Sequence, residues 1–175
     1  MLALDEAVKG IDDPFTRKGI QLVVDGTDPD LVAAVLDAEN EAMRKRHGAG
    51  RAPFTQAGAL APTMGIVGTV LGLVNVMNNL NQPQTLGPLI AAAFLATLMG
   101  VGSANVVFLP MANRLKELSE AELHFREMTL EGILAIQAGD NPRVVAEKLM
   151  AYVPPKLRPS DEEQAASGAA RKQAA

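Results

Sequence analysis

The residues able to do acid, base or ligand chemistry are scattered along this chain. His47 and His124 stand 77 residues apart. Neither is accompanied by a metalloprotease-type HExxH helix, a nucleophile elbow or a glycine-rich phosphate loop. Solvated surface histidines account for both, so no catalytic constellation and no enzyme is expected. Cysteine is absent, which removes disulfides, zinc–thiolate sites and thiol nucleophiles together. A formal charge of −4, one Tyr and no Trp supply neither a basic surface nor a stacking platform, so no nucleic-acid partner is expected. What remains is polar but neutral: Thr63, Thr69, Asn75, Thr97, Ser103 and Asn105, set among apolar residues together with Pro62 and Pro110. Serine and threonine can return a hydrogen bond to their own helix carbonyls. None of these groups carries a proton as an acid would, so an ion crossing here must find its ionisable carrier on another chain.

All of them lie between Ala52 and Asn113, 62 residues without one Asp, Glu, Lys, Arg or His. At the chain-wide share of 21% about thirteen charges would be expected there. Since about 20 apolar residues cross a bilayer once, the stretch holds two crossings and a turn. The expected fold is therefore an all-α membrane protein: a transmembrane helical hairpin with a helical cytoplasmic domain built from the N- and C-terminal segments. The spans are expected at about 54–76 and about 86–109, joined by the polar, uncharged turn Asn78–Gln84. Arg44, Lys45, Arg46 and Arg51 precede the first span, and Arg114 and Lys116 follow the second, while the turn has no cation. The positive-inside rule then puts both termini of this multi-pass membrane protein in the cytoplasm. No signal peptide is legible after Met1.

The flanks read as helices. Residues 1–51 form a cytoplasmic segment in which Asp13-Pro14 and Asp28-Pro29 each offer an N-cap acceptor followed by a first-turn proline. The first of these helices carries Phe15, Ile20, Leu22, Val23 and Val24 and is broken by Asp25-Gly26. The second carries Leu31, Val32, Val35, Leu36 and Met43 and is expected to end near Lys45 in a basic turn at the membrane surface. Residues 114–153 continue the second span as a long helix with an apolar stripe of Leu115, Leu118, Phe125, Met128, Ile133 and Ile136. Gly139-Asp140-Asn141-Pro142 closes it and opens a last short helix, and residues 154–175 are expected to be a disordered tail.

Within the first span Ala61, Gly65, Gly68 and Gly72 stand at the four-residue spacings that let helices approach closely. That pattern suits a packed hairpin with or without transport. A proline inside a helix removes one hydrogen bond at a cost of about 3 kcal/mol. Pro62 and Pro110, each at the cytoplasmic side of a span, read as hinges or as plain junctions between a span and its cytoplasmic extension.

The strings Ala61–Leu73, Gly87–Gly100 and Phe108–Leu115, together with Leu22–Pro29 and Glu127–Pro142, resemble the MotA family of flagellar motor stator subunits, and less closely its ExbB and TolQ relatives. The resemblance covers roughly residues 2 to 157 and implies the third and fourth membrane helices of a four-helix subunit. The first two helices are not in this sequence, as in a fragment or a chain whose start is set too late. It further implies a pentameric ring of such chains around a dimer of single-span MotB-like chains whose membrane aspartate binds H+ or Na+, with no cofactor beyond the transported ion. By motif, Pro62 and Pro110 match the prolines that couple ion passage to motion. Thr69 and Thr97 fall where small or hydroxyl residues face the partner helix. Glu39, and Asp5 as a shorter acid, lie near positions the family sets against the rotor protein FliG. An ExbB- or TolQ-like energiser of outer-membrane transport and a non-transporting membrane scaffold are the alternatives.

Overall fold

The structure, a computed structural model, describes residues 10–155 and Arg158. Five α-helices and one π-helical turn account for the regular structure among the described residues: α1 (Pro14–Val24), α2 (Pro29–Asn78), α3 (Pro83–Ser103), the π turn Ala104–Phe108, α4 (Leu109–Gln137) and α5 (Pro142–Tyr152). The chain divides into two compact units, one made of residues up to Asn40 and from Leu123 onward, the other of Glu41–Glu122. Asp5 and nearly all of the tail expected from Pro154 lie outside the described residues.

The helix ends of the first unit follow the local sequence. Asp13 caps α1 by accepting from the Thr16 backbone N–H at 2.8 Å, and Asn141 caps α5 by accepting from the Arg143 N–H at 3.0 Å. Asp28 accepts from the Asp30 N–H at 3.0 Å at the start of α2. The carboxyl-terminal ends of α1 and α4 turn through Gly26 and Gly139 at φ 75° and 76°, the left-handed region that favours glycine. At each, paired bonds close the helix: Gly26 to Val23 and Thr27 to Leu22, then Gly139 to Ile136 and Asp140 to Ala135. These are Schellman motifs, in which the turn satisfies carbonyls the helix leaves open.

Between those caps, Phe15, Val23, Val32, Leu36 and Ile133 form the core of this unit, joining α1 to the start of α2 and the end of α4. Each side chain of that size stabilises by about 1.5–3 kcal/mol when fully buried. Gly19 lies directly against the Ile133 and Leu36 side chains, which fill the space a Cβ on it would take, so α1 docks there through its backbone. The α4 stripe expected from the sequence is only partly the buried one: Ile133 is buried, Leu115, Leu118, Phe125 and Ile136 are exposed, and Ala112, Leu123 and Ala135, outside the stripe, are buried. Small alanines allow close packing that large residues obstruct, and hydrophobicity alone does not mark them as the inner face.

In the second unit the antiparallel pair α2 and α3 is joined by a turn of four residues, Asn79–Gln82, shorter than expected because Pro83 already occupies the first helical position of α3. The expected end of α2 near Lys45 is not there. The helix passes without a break through Arg44–Arg51, since Arg, Lys and Ala are strong helix formers and Gly48 and Gly50 remain helical. Two helices, Pro29–Asn78 and the run Pro83–Gln137, contain stretches long and apolar enough to cross a membrane, and only 11% of each such stretch is buried. An apolar helix surface left this open requires lipid or other chains to cover it.

Asp13 supplies a test of the capping account. Partial burial opposes its charge, but hydrogen bonds from the Thr16 hydroxyl and from the Thr16 and Phe15 backbones, with the Arg126 charge nearby, hold its carboxyl below the usual value. A depressed carboxyl stabilises the fold above its unfolded pKa and loses that effect as the pH falls through its folded pKa. Asp13→Ala should therefore destabilise α1 by about 1 kcal/mol at neutral pH. Hydrogen exchange of the α1 amides should show the wild-type advantage shrinking as the pH drops below the carboxylate range; an advantage that is constant with pH contradicts the account.

Candidate functional site in the apolar hairpin

In the second unit two glycines face each other across the α2–α3 pair. A Cβ built on Gly100 would lie 2.6 Å from the Ala61 carbonyl oxygen and 2.8 Å from Gly65 Cα; one on Gly65 would lie 3.0 Å from the Ala96 carbonyl oxygen. These neighbours are backbone and cannot swing aside. Gly68 and Gly72 continue the seam against the Cβ atoms of Ala96 and Ala93, at 2.9 and 2.6 Å from their own built Cβ positions. The structure thus uses all four small residues read from the first span, Ala61, Gly65, Gly68 and Gly72. It pairs them with Ala93, Ala96 and Gly100 on α3, which the sequence reading did not single out. Their spacing of three and four residues was the signal, hidden because alanine in an apolar helix has no distinctive chemistry.

The same approach brings Thr69 and Thr97 together. Their hydroxyls are in direct hydrogen-bond contact, and the Thr69 Oγ1 also lies 3.1 Å from the Gly65 carbonyl and 3.0 Å from the Ala93 carbonyl. Thr97 Oγ1 reaches the Gly65 carbonyl at 3.5 Å. Two hydroxyl protons therefore serve a cluster of four oxygens, two hydroxyls and two carbonyls, held between the helices where no charged residue is near in sequence. The two threonines bridge α2 and α3. Such a cluster is polar without being ionisable: it can orient or solvate, and it cannot hold a proton as a base.

Pro62 and Pro110 come to one level of the hairpin through Gly58. A Cβ on Gly58 would lie 2.6 Å from Leu109 Cδ2, Leu109 precedes Pro110, and Pro62 is one turn along α2 from Gly58. Pro62 lies inside α2 and leaves the Gly58 carbonyl without its helical donor. Pro110 is preceded by the π turn, where the Leu109 N–H donates to the Ala104 carbonyl five residues back. The wide turn lengthens the backbone path just before a residue that has no N–H to give the Val106 carbonyl. π turns of one helical turn are frequent at functional sites. Sequence could place Pro110 but not the π turn, which depends on how the ring is accommodated.

Glu39 belongs to the other unit and is not a free surface acid. Its Oε2 receives the Lys18 Nζ at 2.6 Å, and its Oε1 lies 3.8 Å from an Arg126 nitrogen. Arg126 in turn sits over the Phe15 ring at 4.9 Å, so the core of that unit positions the cation that faces Glu39. Elsewhere in it, His124 Nε2 meets the Tyr152 carbonyl at 2.8 Å and Lys148 bridges Asp140 and Glu131 at 2.8 and 3.7 Å. The Asp140 hydrogen bond, with both acids' charges, raises the Lys148 pKa. Among the described residues no cluster of His, Asp and Glu could hold a metal ion.

The chain contains no cysteine of its own, so Thr69→Cys with Thr97→Cys can be cross-linked without background. The pair should oxidise to an intramolecular disulfide. Adding Gly65→Val or Gly100→Val, whose overpacking costs about 1–3 kcal/mol, should lower the cross-linking yield several-fold on a non-reducing gel. Equal yields would show that the helices do not meet at these glycines.

Comparison with known proteins gives the hairpin its relatives. Residues 7–128 match the model of the MotA/TolQ/ExbB proton channel family. Motility protein A of Bacillus subtilis is 40% identical over 158 residues, 90% of this chain and 58% of that protein. Among solved structures, a chain of the flagellar MotAB stator complex from Bacillus subtilis superposes with a TM-score of 0.79 at 40% identity, covering 88% of this chain and 61% of that one. A chain of C. jejuni MotAB superposes with a TM-score of 0.84 at 27% identity, covering 91% and 63%. The chain therefore spans about three fifths of the length of these relatives. It belongs to the MotA/TolQ/ExbB proton channel family and is a membrane protein.

Proposed function

From that membership we propose that the chain acts as part of a flagellar motor stator subunit, working in a ring of its own copies with a MotB-like single-span partner. The carrying observation is a membrane hairpin that matches MotAB stator complexes at 40% identity yet holds no ionisable residue from Ala52 to Asn113. A channel-family hairpin of that kind needs its ion carrier supplied from outside the hairpin, which the MotB-like partner would provide. Protons or sodium ions are the cargo, and no cofactor takes part. Each charge moving down the membrane potential releases about 2.3 kcal/mol per 100 mV.

In this reading the hairpin converts that energy into motion. The Thr69–Thr97 oxygen cluster lines the side of the ion path as a neutral polar wall. Pro62 and Pro110, at one level of the hairpin, form the bending zone, and the π turn before Pro110 supplies backbone slack on the α4 side. The cytoplasmic unit carries the movement to the rotor protein FliG through acids at Asp5 and Glu39. The membrane is the bacterial inner membrane, with both chain ends in the cytoplasm, because the cations gather at the open end of the hairpin.

In the full-length subunit, Pro62→Ala or Pro110→Ala should abolish swimming while leaving membrane insertion and co-purification with the partner unchanged. Normal swimming by both variants rejects the bending zone, and absence of any co-purifying single-span protein with a membrane acid returns the chain to a scaffold role. For the rotor surface the ion pair dictates the control. Glu39→Lys should reduce torque in a tethered-cell assay, whereas Lys18→Gln, which removes the pair but keeps the acid, should leave torque near wild type. An equal loss in both would make Glu39 a brace within its unit.

A further inference from the structure

Six cations bracket the hairpin: Arg44, Lys45, Arg46 and Arg51 on α2, and Arg114 and Lys116 on α4, with no acid anywhere between Glu41 and Glu117. The structure sorts them by partner. Arg44 pairs with Glu41 at 3.5 Å, Arg114 with Glu117 at 3.2 Å and Lys116 with Glu120 at 3.6 Å, each within its own helix. Lys45, Arg46 and Arg51 have no carboxylate partner among the described residues. His47 faces α4, where its Nδ1 lies 3.0 Å from the Ser119 hydroxyl. At 3.6 residues per turn, Lys45 and Arg46 sit about 160° and about 100° around α2 from His47, away from that contact, and both are exposed. Arg51 is half-buried at the edge of the uncharged stretch.

We propose that Lys45, Arg46 and Arg51 form a binding collar for the phosphate groups of anionic phospholipids. The inference rests on the membrane reading of the hairpin. Residues 44–51 rise about 10 Å along the helix axis, close to the roughly 5–8 Å of headgroup layer on each side of a bilayer. Those cations therefore lie at the depth of lipid phosphates when the uncharged stretch fills the hydrocarbon. No carboxylate among the described residues neutralises them, which leaves their charge available to an anionic surface. Their spread around and along α2 fits a layer of headgroups better than one small anion, which would need them to converge. The long stems of Lys and Arg keep the charged ends in the interface while their methylenes cover apolar surface. A juxtamembrane cation facing an anionic surface contributes about a fivefold preference.

The test reconstitutes the full chain in phosphatidylcholine vesicles containing spin-labelled phosphatidylglycerol or spin-labelled phosphatidylcholine, and measures the relative association of each with the protein. Wild type should favour phosphatidylglycerol several-fold at about 0.05 M salt and lose most of that preference at about 0.5 M, where screening is strong. Lys45→Gln/Arg46→Gln/Arg51→Gln should bring the preference close to one, and Arg114→Gln/Lys116→Gln, whose cations are already paired, should retain it. Inorganic phosphate at constant ionic strength should not displace the lipid; displacement would mean a free-anion site and overturn the proposal. Equal association of the two lipids with inserted wild-type protein, or a preference indifferent to salt, would overturn it too, even if the triple variant failed to fold. A chain that does not insert at all would instead refute the membrane reading, and the collar with it.

Discussion

Two backbones touch where Gly65 meets Gly100, and the arrangement of the apolar hairpin depends on that contact. With no space for a Cβ on either side, α2 and α3 come close enough for the Thr69 hydroxyl to reach a carbonyl on the opposite helix at 3.0 Å. Between two membrane helices, lipid tails are as apolar as leucine, so burial of apolar side chains drives association little. Close packing and interhelical hydrogen bonds do that work instead. The glycine and alanine seam and the threonine bridge are accordingly one device. The seam allows the bridge, and the bridge gives the seam a polar register.

The prolines fit the same constraint. Gly58 extends the seam to Leu109, which puts Pro62 and the π turn with Pro110 side by side at the end of the uncharged stretch. Each proline leaves a carbonyl without its helical donor, and the wide turn relieves the crowding its ring would cause on the α4 side. The hairpin thus has its interrupted helical hydrogen bonding at one level and its tightest helix packing beyond it.

Much of this was legible beforehand because it rests on one-dimensional signals. A gap in charge as long as Ala52–Asn113 marks two helices long and apolar enough to cross a membrane, and the caps at Asp13, Asn141, Gly26 and Gly139 are local chemistry that tertiary context did not override. The expected end of α2 at the basic residues failed because Arg44–Arg46 are helix formers and their charge says nothing about backbone direction. The α4 stripe and the buried face of that helix coincide only at Ile133. Leu118 and Phe125 are hydrophobic yet exposed, and Ala112 and Ala135 are modest yet buried, since packing distance decides which face turns inward.

From the sequence alone came the two long apolar helices, the lack of any titratable group within their uncharged stretch, the small-residue face of α2 and the helix boundaries set by caps and prolines. Those depend on composition and on interactions within a few residues. Only the tertiary structure joined Thr69 to Thr97 and matched Gly65 with Gly100. Only there did Glu39 become a partner of Lys18 and Arg126, and a π turn appear ahead of Pro110. Each of these depends on which residues of two distant segments stand at the same height, a register that helical periodicity leaves open and that side-chain volume across the interface decides.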